Sequence, residues 1–414
     1  MKLLCVIPFF FCESGFRVKD LDEQMNSTSA VPEDSASKDQ EILSALQRPI
    51  EAIDYGTTGQ LFDEIRDFLT QHPGLTTDSV LKLTFFVFAI LFPEFAEIWP
   101  FASVVAPDPA GSSLLLRMLA CVCSSPLQIG EISLNGILTL PPLLRPTLLV
   151  DQLSPNKELE RVLRIMSRPG GRFLRRGKLW DLFFPTLVCT AEPLCDRWIL
   201  DQAIQIVLTP TRSRLPRFDP QSLNDSSREL QGKLLRYREI NLARVRNSHF
   251  DAPQFSSPMR EIASMLGNSI VDAPLLQRCV LTVLEPQDQD VRTRRTDSLE
   301  AIVIEAALFL SHEVHRSQAR VGEITTIVNG ILRGRGETIE LDPRAVGNTL
   351  RALGLFSRRL GRAGRGIRFS NENRRKIHAL AWTYDVRSIQ DNTDRCEFCV
   401  EAKSRFVDAP DRRK

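Results

Sequence analysis

The chain has 414 residues, of which 43% are hydrophobic, 25% charged and 7% aromatic. This composition is typical of a globular protein and excludes a wholly disordered, a collagen-like or a multi-spanning membrane chain. The length predicts two or three domains. The net charge of +2 conceals an asymmetry, because residues 1–70 are strongly acidic whereas residues 320–376 carry 13 basic and 5 acidic side chains. The basic segment favours a polyanionic partner.

The first forty residues combine an apolar start with a polar, acidic stretch. MKLLCVIPFFFC resembles a signal peptide in its lysine and apolar run, but Pro8 interrupts the run and no small-x-small cleavage site follows. Residues 1–40 are therefore predicted to be a disordered acidic arm or a sequence wrongly assigned to the protein. Nine cysteines, an odd number spread over a long chain, show no disulfide framework and indicate a reducing, cytoplasmic location.

Residues 41–98 are predicted to be a helical lead-in to the first domain. Five apolar residues fall on one face of a helix, namely Leu61, Phe62, Ile65, Phe68 and Leu69. A second apolar helix is predicted at 78–92. Its uncharged core, Leu83–Phe92, is half of the about 20 residues that a membrane-spanning helix needs, so we expect a buried helix and no membrane association.

Residues 99–215 change to short apolar runs that alternate with helical stretches. The predicted strands are 101–105, 146–151, 185–190 and 203–208. Strands that alternate with helices indicate βαβ units and a mainly parallel sheet, hence an α/β domain. Residues 216–290 are predicted to be a helical extension, with helices at 227–246, 258–266 and 274–284, and a polar linker is predicted at 285–296.

The loop after the first strand resembles a phosphate-binding loop only in part. Such a loop needs Gly-x4-Gly-Lys-Ser/Thr, because its backbone N–H groups wrap the phosphates, the lysine reaches the β and γ oxygens and the hydroxyl binds Mg²⁺. Gly111 and Ser113 keep the pattern, and the following helix offers its positive N-terminal end. Ala106 replaces the first glycine, Ser112 replaces the lysine, and Asp108 puts a negative charge where phosphate would lie.

Polar residues follow two later strands at the positions that a nucleotide hydrolase would use. Asp151 ends the strand PTLLVD, where it could hold Mg²⁺ together with Ser113. The next residue, Gln152, stands where a catalytic glutamate is expected and cannot act as a base. Thr190 ends PTLVCT at the position of a polar sensor, and Arg197 is the arginine nearest to the expected arginine position, which is occupied by Gln202.

In motif order and spacing, residues 80–210 resemble the ATPase module found beside primase-polymerases in phages, plasmids and other mobile elements. The matching segments are VVAPDPAGSSLLLRML, PTLLVDQ, PTLVCT and LDQAIQI. The resemblance implies a P-loop NTPase-like α/β domain, ATP and Mg²⁺ as cofactors, and assembly into a homo-oligomer. It implies a nucleotide site made of Ala106, Gly111, Ser112, Ser113 and Asp151. The lost lysine, base and arginine predict weak or absent hydrolysis.

Residues 297–386 show the order of a winged helix: three helices and then two strands joined by a glycine-containing loop. The third helix begins at Asp342-Pro343 and stops at Gly354. This segment is predicted to bind duplex DNA, with a helix in the major groove and a basic wing along the phosphates. The predicted contacts are Arg344, Asn348 and Arg351 on one helix face and Arg358, Arg359, Arg362, Arg365 and Arg368 in the hairpin. The segment also resembles the tail that follows these ATPase modules in bacterial sequences of unknown function.

The end of the chain, 387–414, is predicted to be a flexible tail. It contains Cys396 and Cys399 with metal-ligand spacing, but no second such pair follows. A structural zinc needs four ligands, and His378 lies 18 residues before Cys396 while His312 and His315 lie elsewhere in the sequence. We therefore expect two free thiols in a loose tail in preference to a zinc site.

Three functions are compatible with these patterns. The leading one is a DNA-associated, ATPase-like protein of the mobile-element replication type that holds duplex DNA through its winged helix. The second is a binding protein of the transcription-regulator type, with the α/β domain as an oligomerisation platform. The third is an active ATPase that uses substitute residues, such as Arg197 or a lysine from a neighbouring subunit.

Overall fold

A computed structural model describes residues 51–140, 145–167, 172–175, 178–210, 215–216, 218–313, 316–360, 364–386 and 396–406. The predicted acidic arm at 1–40, the first part of the lead-in and Arg362 lie outside these residues. The chain forms two compact units, one made of 1–250 and 264–277 and the other of 251–263 and 278–414. The described part contains no helix that is both long and apolar enough to cross a membrane.

The first unit contains seven strands and, up to residue 250, seven α-helices among the described residues. The strands are β1 (Phe101–Val105), β2 (Pro126–Ile129), β3 (Thr147–Asp151), β4 (Arg172–Arg175), β5 (Lys178–Asp181), β6 (Thr186–Thr190) and β7 (Ile204–Val207). The helices are α1 (Thr58–Thr70), α2 (Thr77–Ala89), α3 (Pro109–Val122), α4 (Leu134–Ile137), α5 (Lys157–Met166), α6 (Arg197–Asp201) and α7 (Pro220–Arg246).

The two lead-in helices form where the sequence predicts them. Thr57 caps α1 in a capping box with Gln60, and Thr76 caps α2 through the N–H of Ser79. The five apolar residues predicted to share one face of α1 are all buried. The helix α2 is buried along nearly its whole length, as expected from its apolar sequence.

Five strands of the first unit form one sheet in the order β2-β3-β6-β1-β7, and every pairing is parallel. This confirms the predicted parallel α/β arrangement. One face is covered by α5 and α6, whose apolar side chains cluster with Phe101, Leu148 and Val188. The chain moves in opposite directions along the sheet after β1 and after β6, so right-handed crossovers place α3 on the other face, where it packs against α7 and α1.

No element was predicted at β2, α4, α6 or the hairpin β4–β5. The edge strand β2 has four residues, and only its first is fully buried, so it lacks the apolar run of the central strands. The helix α4 is also only four residues long. The hairpin β4–β5 pairs RFLR with KLWD, and charged residues at its ends obscure the strand pattern.

The described residues from 251 onward contain seven more helices and three short strands. The helices are α8 (Ser257–Asn268), α9 (Pro274–Thr296), α10 (Leu299–His312), α11 (Val321–Gly334), α12 (Pro343–Ala352), α13 (Asn371–Thr383) and α14 (Glu397–Phe406). The strands are β8 (Gln318–Arg320), β9 (Arg358–Arg359) and β10 (Arg365–Arg368). The predicted polar linker at 285–296 is wrong, because α9 continues through it despite Pro286. Its buried Asp288 accepts hydrogen bonds from Ser256 and pairs with Arg292, which stabilises this polar stretch as helix.

The segment from α10 to α13 follows the predicted order of three helices and a hairpin. Asp342 caps α12 through the N–H of Ala345, Pro343 is its first residue, and Gly354 ends it with a φ of 69°. The strands form an antiparallel sheet in the order β8-β10-β9. The three-residue strand β8 was not predicted, since its sequence QAR carries a single apolar residue, the buried Ala319.

The predicted flexible tail is wrong for residues 396–406. Residues 397–406 form α14, which packs against α13 with Cys399 and Ala402 buried. Arg375 of α13 and Arg405 both pair with Glu401. The remainder of the predicted tail, 387–395 and 407–414, lies outside the described residues.

Gly366 should be intolerant of any side chain, because a Cβ there would lie 2.2 Å from the carbonyl oxygen of Ala319 in the paired strand. We expect Gly366→Ala to lower the free energy of unfolding of the second unit by about 1–3 kcal/mol. Gly330→Ala, at an exposed position of α11 with nothing within 4 Å, is the matched control and should stabilise by up to about 1 kcal/mol. Urea unfolding measures both changes, and equal effects of the two substitutions would contradict the close approach.

Candidate functional site

The carboxyl ends of the central strands place the predicted site residues along one edge of the sheet. Val105, at the end of β1, is in register with Thr190 at the end of β6, and Asp151 at the end of β3 is in register with Cys189. The connections after β1 and β6 leave toward opposite faces, which opens the crevice where open α/β sheets bind ligands. The loop 106–108 lies at this crevice, anchored by the N–H of Ala106 on the Thr190 carbonyl at 2.7 Å.

The N-terminus of α3 is capped by its own carboxylate. Asp108 accepts a hydrogen bond of 3.1 Å from the N–H of Ala110, and Pro109 is the first residue of the helix. Prolines have no N–H, so Pro107 and Pro109 supply no backbone donors. The position at which a helix would attract an anion is therefore taken by the negative charge of Asp108.

Asp151 meets Ser112 and not the predicted partner, Ser113. The hydroxyl of Ser112 lies 3.0 Å from Asp151 Oδ1 and 3.0 Å from the carbonyl oxygen of Pro109. Ser112 is buried, whereas Ser113 is exposed on the first turn of α3. The residue at the lysine position has thus become a short neutral contact between α3 and β3.

The other polar residues predicted for the nucleotide site make no described contact with Asp151. Thr190 is buried, and its hydroxyl donates to the carbonyl of Glu192 at 2.7 Å. Gln152 is 5% exposed, and its Oε1 has no hydrogen-bond partner among the described residues. Arg197 is exposed at the first residue of α6, with no ion pair in the described part of the chain. No described contact joins these three side chains to Asp151.

A buried histidine from the lead-in fastens α3 in this position. His72 Nε2 lies 3.0 Å from the carbonyl oxygen of Gly111, and Nδ1 accepts from the N–H of Gly74 at 3.2 Å. The second contact places the proton on Nε2, which donates to Gly111. Burial lowers the pKa of His72, so the ring is neutral at pH 7. Sequence reasoning missed this residue because it precedes the loop by more than thirty positions and belongs to no motif.

These residues do not fit a nucleoside triphosphate with its magnesium ion. The α3 N-terminus carries a carboxylate, the loop supplies few donors, and the hydroxyl nearest Asp151 is engaged by that residue and by Pro109. The lysine, general base and arginine that stabilise charge in phosphoryl transfer have no described counterparts here. The arrangement can hold the strands and α3 together, and we derive no chemical step from it.

In the second unit, the predicted DNA-contacting residues that the structure describes are all exposed. They are Arg344, Asn348 and Arg351 of α12 and Arg358, Arg359, Arg365 and Arg368 of β9 and β10. We call these seven residues the arginine surface. Val346 and Leu350 lie on the opposite, buried side of α12.

The arginine surface consists of exposed side chains, all of them positively charged except Asn348. No described acidic side chain pairs with any of its arginines, although Arg365 donates to the carbonyl oxygen of Ser357 at 3.3 Å. Elsewhere in the unit Arg316, Arg335 and Arg375 each pair with one or two carboxylates. Guanidinium groups without carboxylate partners concentrate positive electrostatic potential on the helix α12 and the hairpin β9–β10.

A cluster of two histidines and two cysteines lies elsewhere in the second unit. His312 ends α10, His378 lies within α13, Cys396 precedes α14 and Cys399 lies within it. Their four ligand atoms all lie within 4.8 Å of one another. The expectation that the two cysteines lie in a loose tail is therefore wrong, because both are packed close to the two histidines. Only the CxxC spacing could have signalled the cluster, because the histidines are distant in sequence; His315 lies outside the described residues.

Comparisons with known proteins add no relative: no family model, no curated protein and no solved structure matches this chain.

His72 should make the first unit sensitive to acid. Because its pKa is lowered by burial, the unfolded chain binds a proton at higher pH than the folded chain. The stability that neutral His72 contributes is complete above about pH 6.5 and is lost as the pH falls further. In His72→Gln the denaturation midpoint should fall less between pH 7.5 and 5 than in the wild type.

His249→Gln is the matched control, since it replaces an exposed histidine that takes no part in the contact with Gly111. If the denaturation midpoint of His72→Gln fell as steeply with decreasing pH as that of the wild type, the contribution of neutral His72 to stability would be contradicted.

Proposed function

We propose that this chain is a DNA-binding protein whose α/β domain keeps the layout of an ATPase without its hydrolytic chemistry. The arginine surface carries this proposal: it is an exposed set of guanidinium groups with which no described carboxylate pairs, whereas Arg316, Arg335 and Arg375 of the same unit have carboxylate partners. The overall type, a protein of mobile-element replication, rests on the motif resemblance of residues 80–210.

The element order of the second unit supports a winged helix. Three helices, α10 to α12, are followed by the hairpin β9–β10, and β8 completes a small antiparallel sheet. In this reading α12 is the recognition helix, because residues 344, 348 and 351 face outward from a side opposite to its core residues. The hairpin is the wing, and its arginines contact phosphates rather than bases.

Electrostatics favour a nucleic-acid partner over a protein. No acidic residue occurs between 343 and 371, so nothing on the helix or the wing offsets their charge. Each phosphate neutralised by an arginine releases counterions, which makes the affinity large at low salt and steeply dependent on salt concentration. Asn348 on the same helix face adds an amide of the type that reads adenine in the major groove.

The site at the sheet edge supports a structural role for the ATPase-like domain. Parallel strands end in Asp151 and Thr190, and α3 starts at the loop after β1, which is compatible with the layout that the resemblance implies. The carboxylate of Asp108 and the loss of lysine remove the affinity for phosphate that the layout would otherwise provide. We infer that ATP hydrolysis is lost and that the domain serves assembly or stability.

Removing charge from the arginine surface should weaken DNA binding without unfolding the protein. We expect Arg351→Ala and the double variant Arg358→Ala/Arg365→Ala to bind a duplex more weakly, and each lost phosphate contact to reduce the slope of log K against log salt by about 0.9. Fluorescence anisotropy of a labelled duplex at several salt concentrations measures both quantities.

Arg405→Ala is the matched control, because Arg405 is exposed in the same unit but pairs with Glu401. The winged-helix assignment fails if this control and the surface variants lose the same affinity. It also fails if a chain lacking 297–414 still binds the duplex as the full chain does.

Asp108→Asn should remove the negative charge at the N-terminus of α3 and keep the capping hydrogen bond, since asparagine caps helices as well as aspartate does. We expect the wild type to show no ATP turnover with or without duplex DNA, and the variant to bind a fluorescent ATP analogue several-fold more tightly. Turnover by the wild type would favour an active ATPase with substitute residues. Unchanged nucleotide affinity in Asp108→Asn would show that the carboxylate does not block the site.

A further inference from the structure

We propose that His312, His378, Cys396 and Cys399 bind one zinc ion that fastens α14 to α10 and α13. The four residues come from three separate segments of the second unit, yet their ligand atoms converge on a single point. This inference is independent of DNA binding, because the metal content is measured on the free protein.

Three of the six distances between the ligand atoms are close to those of a tetrahedral zinc site. The two Nε2 atoms of His312 and His378 are 3.0 Å apart, Cys396 Sγ is 3.4 Å from His378 Nε2, and Cys399 Sγ is 3.3 Å from His312 Nε2. With Zn–N bonds of about 2.0–2.1 Å and Zn–S bonds of about 2.3 Å, a tetrahedron separates nitrogen from nitrogen by about 3.3 Å and nitrogen from sulfur by about 3.5 Å.

A backbone contact orients one of the histidines toward the ion. His378 Nδ1 lies 2.7 Å from the carbonyl oxygen of Arg374, so the ring proton is placed on Nδ1 and the lone pair of Nε2 faces the cluster. A ligating histidine in a metalloprotein normally makes such a contact with its other nitrogen. Arg374 is itself held by the carbonyl oxygens of Ser311 and Arg316, which fixes the turn of α13 that carries His378.

Burial and donor type indicate zinc in a structural role. His378 and Cys399 are fully buried, and His312 and Cys396 are partly buried. Two thiolates and two imidazoles form the Cys₂His₂ set that zinc prefers, and four protein ligands leave no open position for catalysis. Zinc here would replace the large apolar interface that a ten-residue helix such as α14 does not offer.

The test begins with the metal content of the full-length protein purified without added chelator. We expect about one zinc per chain for the wild type, and loss of stoichiometric zinc in Cys396→Ser, Cys399→Ser and His378→Gln. Cys195→Ser is the matched control, since Cys195 is exposed in the first unit and should leave zinc binding unchanged.

A second measurement keeps the proposal testable if these variants do not fold. After removal of metal from the wild type, Co²⁺ should give the intense visible bands of tetrahedral coordination and thiolate-to-cobalt charge transfer, and Zn²⁺ should abolish them. Failure of the wild type to bind either ion would overturn the proposal, leaving a hydrogen-bonded His–His pair. Stoichiometric iron in place of zinc would overturn the identity of the metal.

Discussion

The position of β1 between β6 and β7 in a fully parallel sheet is the constraint on which the first unit depends. Parallel pairing brings the carboxyl ends of β1, β3 and β6 to one edge, so that Asp151, Thr190 and the loop 106–108 lie together although the sequence separates them. Every connection between parallel strands must run back over one face of the sheet. Because the connections after β1 and after β3 run in opposite directions along the sheet, α3 lies on one face and α5 on the other. The crevice between β1 and β6 is a consequence of this topology and does not require a ligand.

The topology would permit an anionic ligand in the crevice, but side chains of the protein itself lie there. An open α3 N-terminus would attract an anion, yet Asp108 provides the anion from within the chain. Ser112 joins α3 to Asp151, and His72 joins α3 to the lead-in, so the carboxylate of Asp151 and the first turn of α3 both have partners within the chain. The first unit thus uses its polar edge for its own cohesion. In the second unit the arginine surface shows the opposite arrangement, because no described carboxylate pairs with its charges.

Much of the architecture could be predicted from sequence because it depends on local signals. The apolar face of α1, the strands β1, β3, β6 and β7, and the Asp342-Pro343 start of α12 all follow from periodicity and capping residues. The elements that were missed, such as β2 and β8, are short and partly exposed, and they exist because a neighbouring strand pairs with them. The helical course of α9 through Pro286 depends on tertiary contacts of Asp288, which no local pattern reveals.

The site residues divide in the same way. The exposure of the arginine surface follows from helix periodicity and strand alternation, so its residues could be predicted by number. The partners of Asp151 and Gly111 could not be predicted. Ser112 and not the adjacent Ser113 faces Asp151, and His72, the partner of Gly111, comes from the helix pair α1–α2. The Cys–His cluster needed the fold most of all: its histidines precede Cys396 by 84 and 18 positions, and only the packing of α10, α13 and α14 brings them together.

Hydrogen exchange of backbone amides, with and without a saturating amount of duplex DNA, tests the central assignment most directly. We expect slower exchange in residues 343–352 of α12 and in the hairpin strands β9 and β10, with the exchange at the sheet edge of the first unit unchanged. Protection confined to the loop 106–108 and the strand ends, or no protection at saturation, would contradict the assignment of DNA binding to the arginine surface.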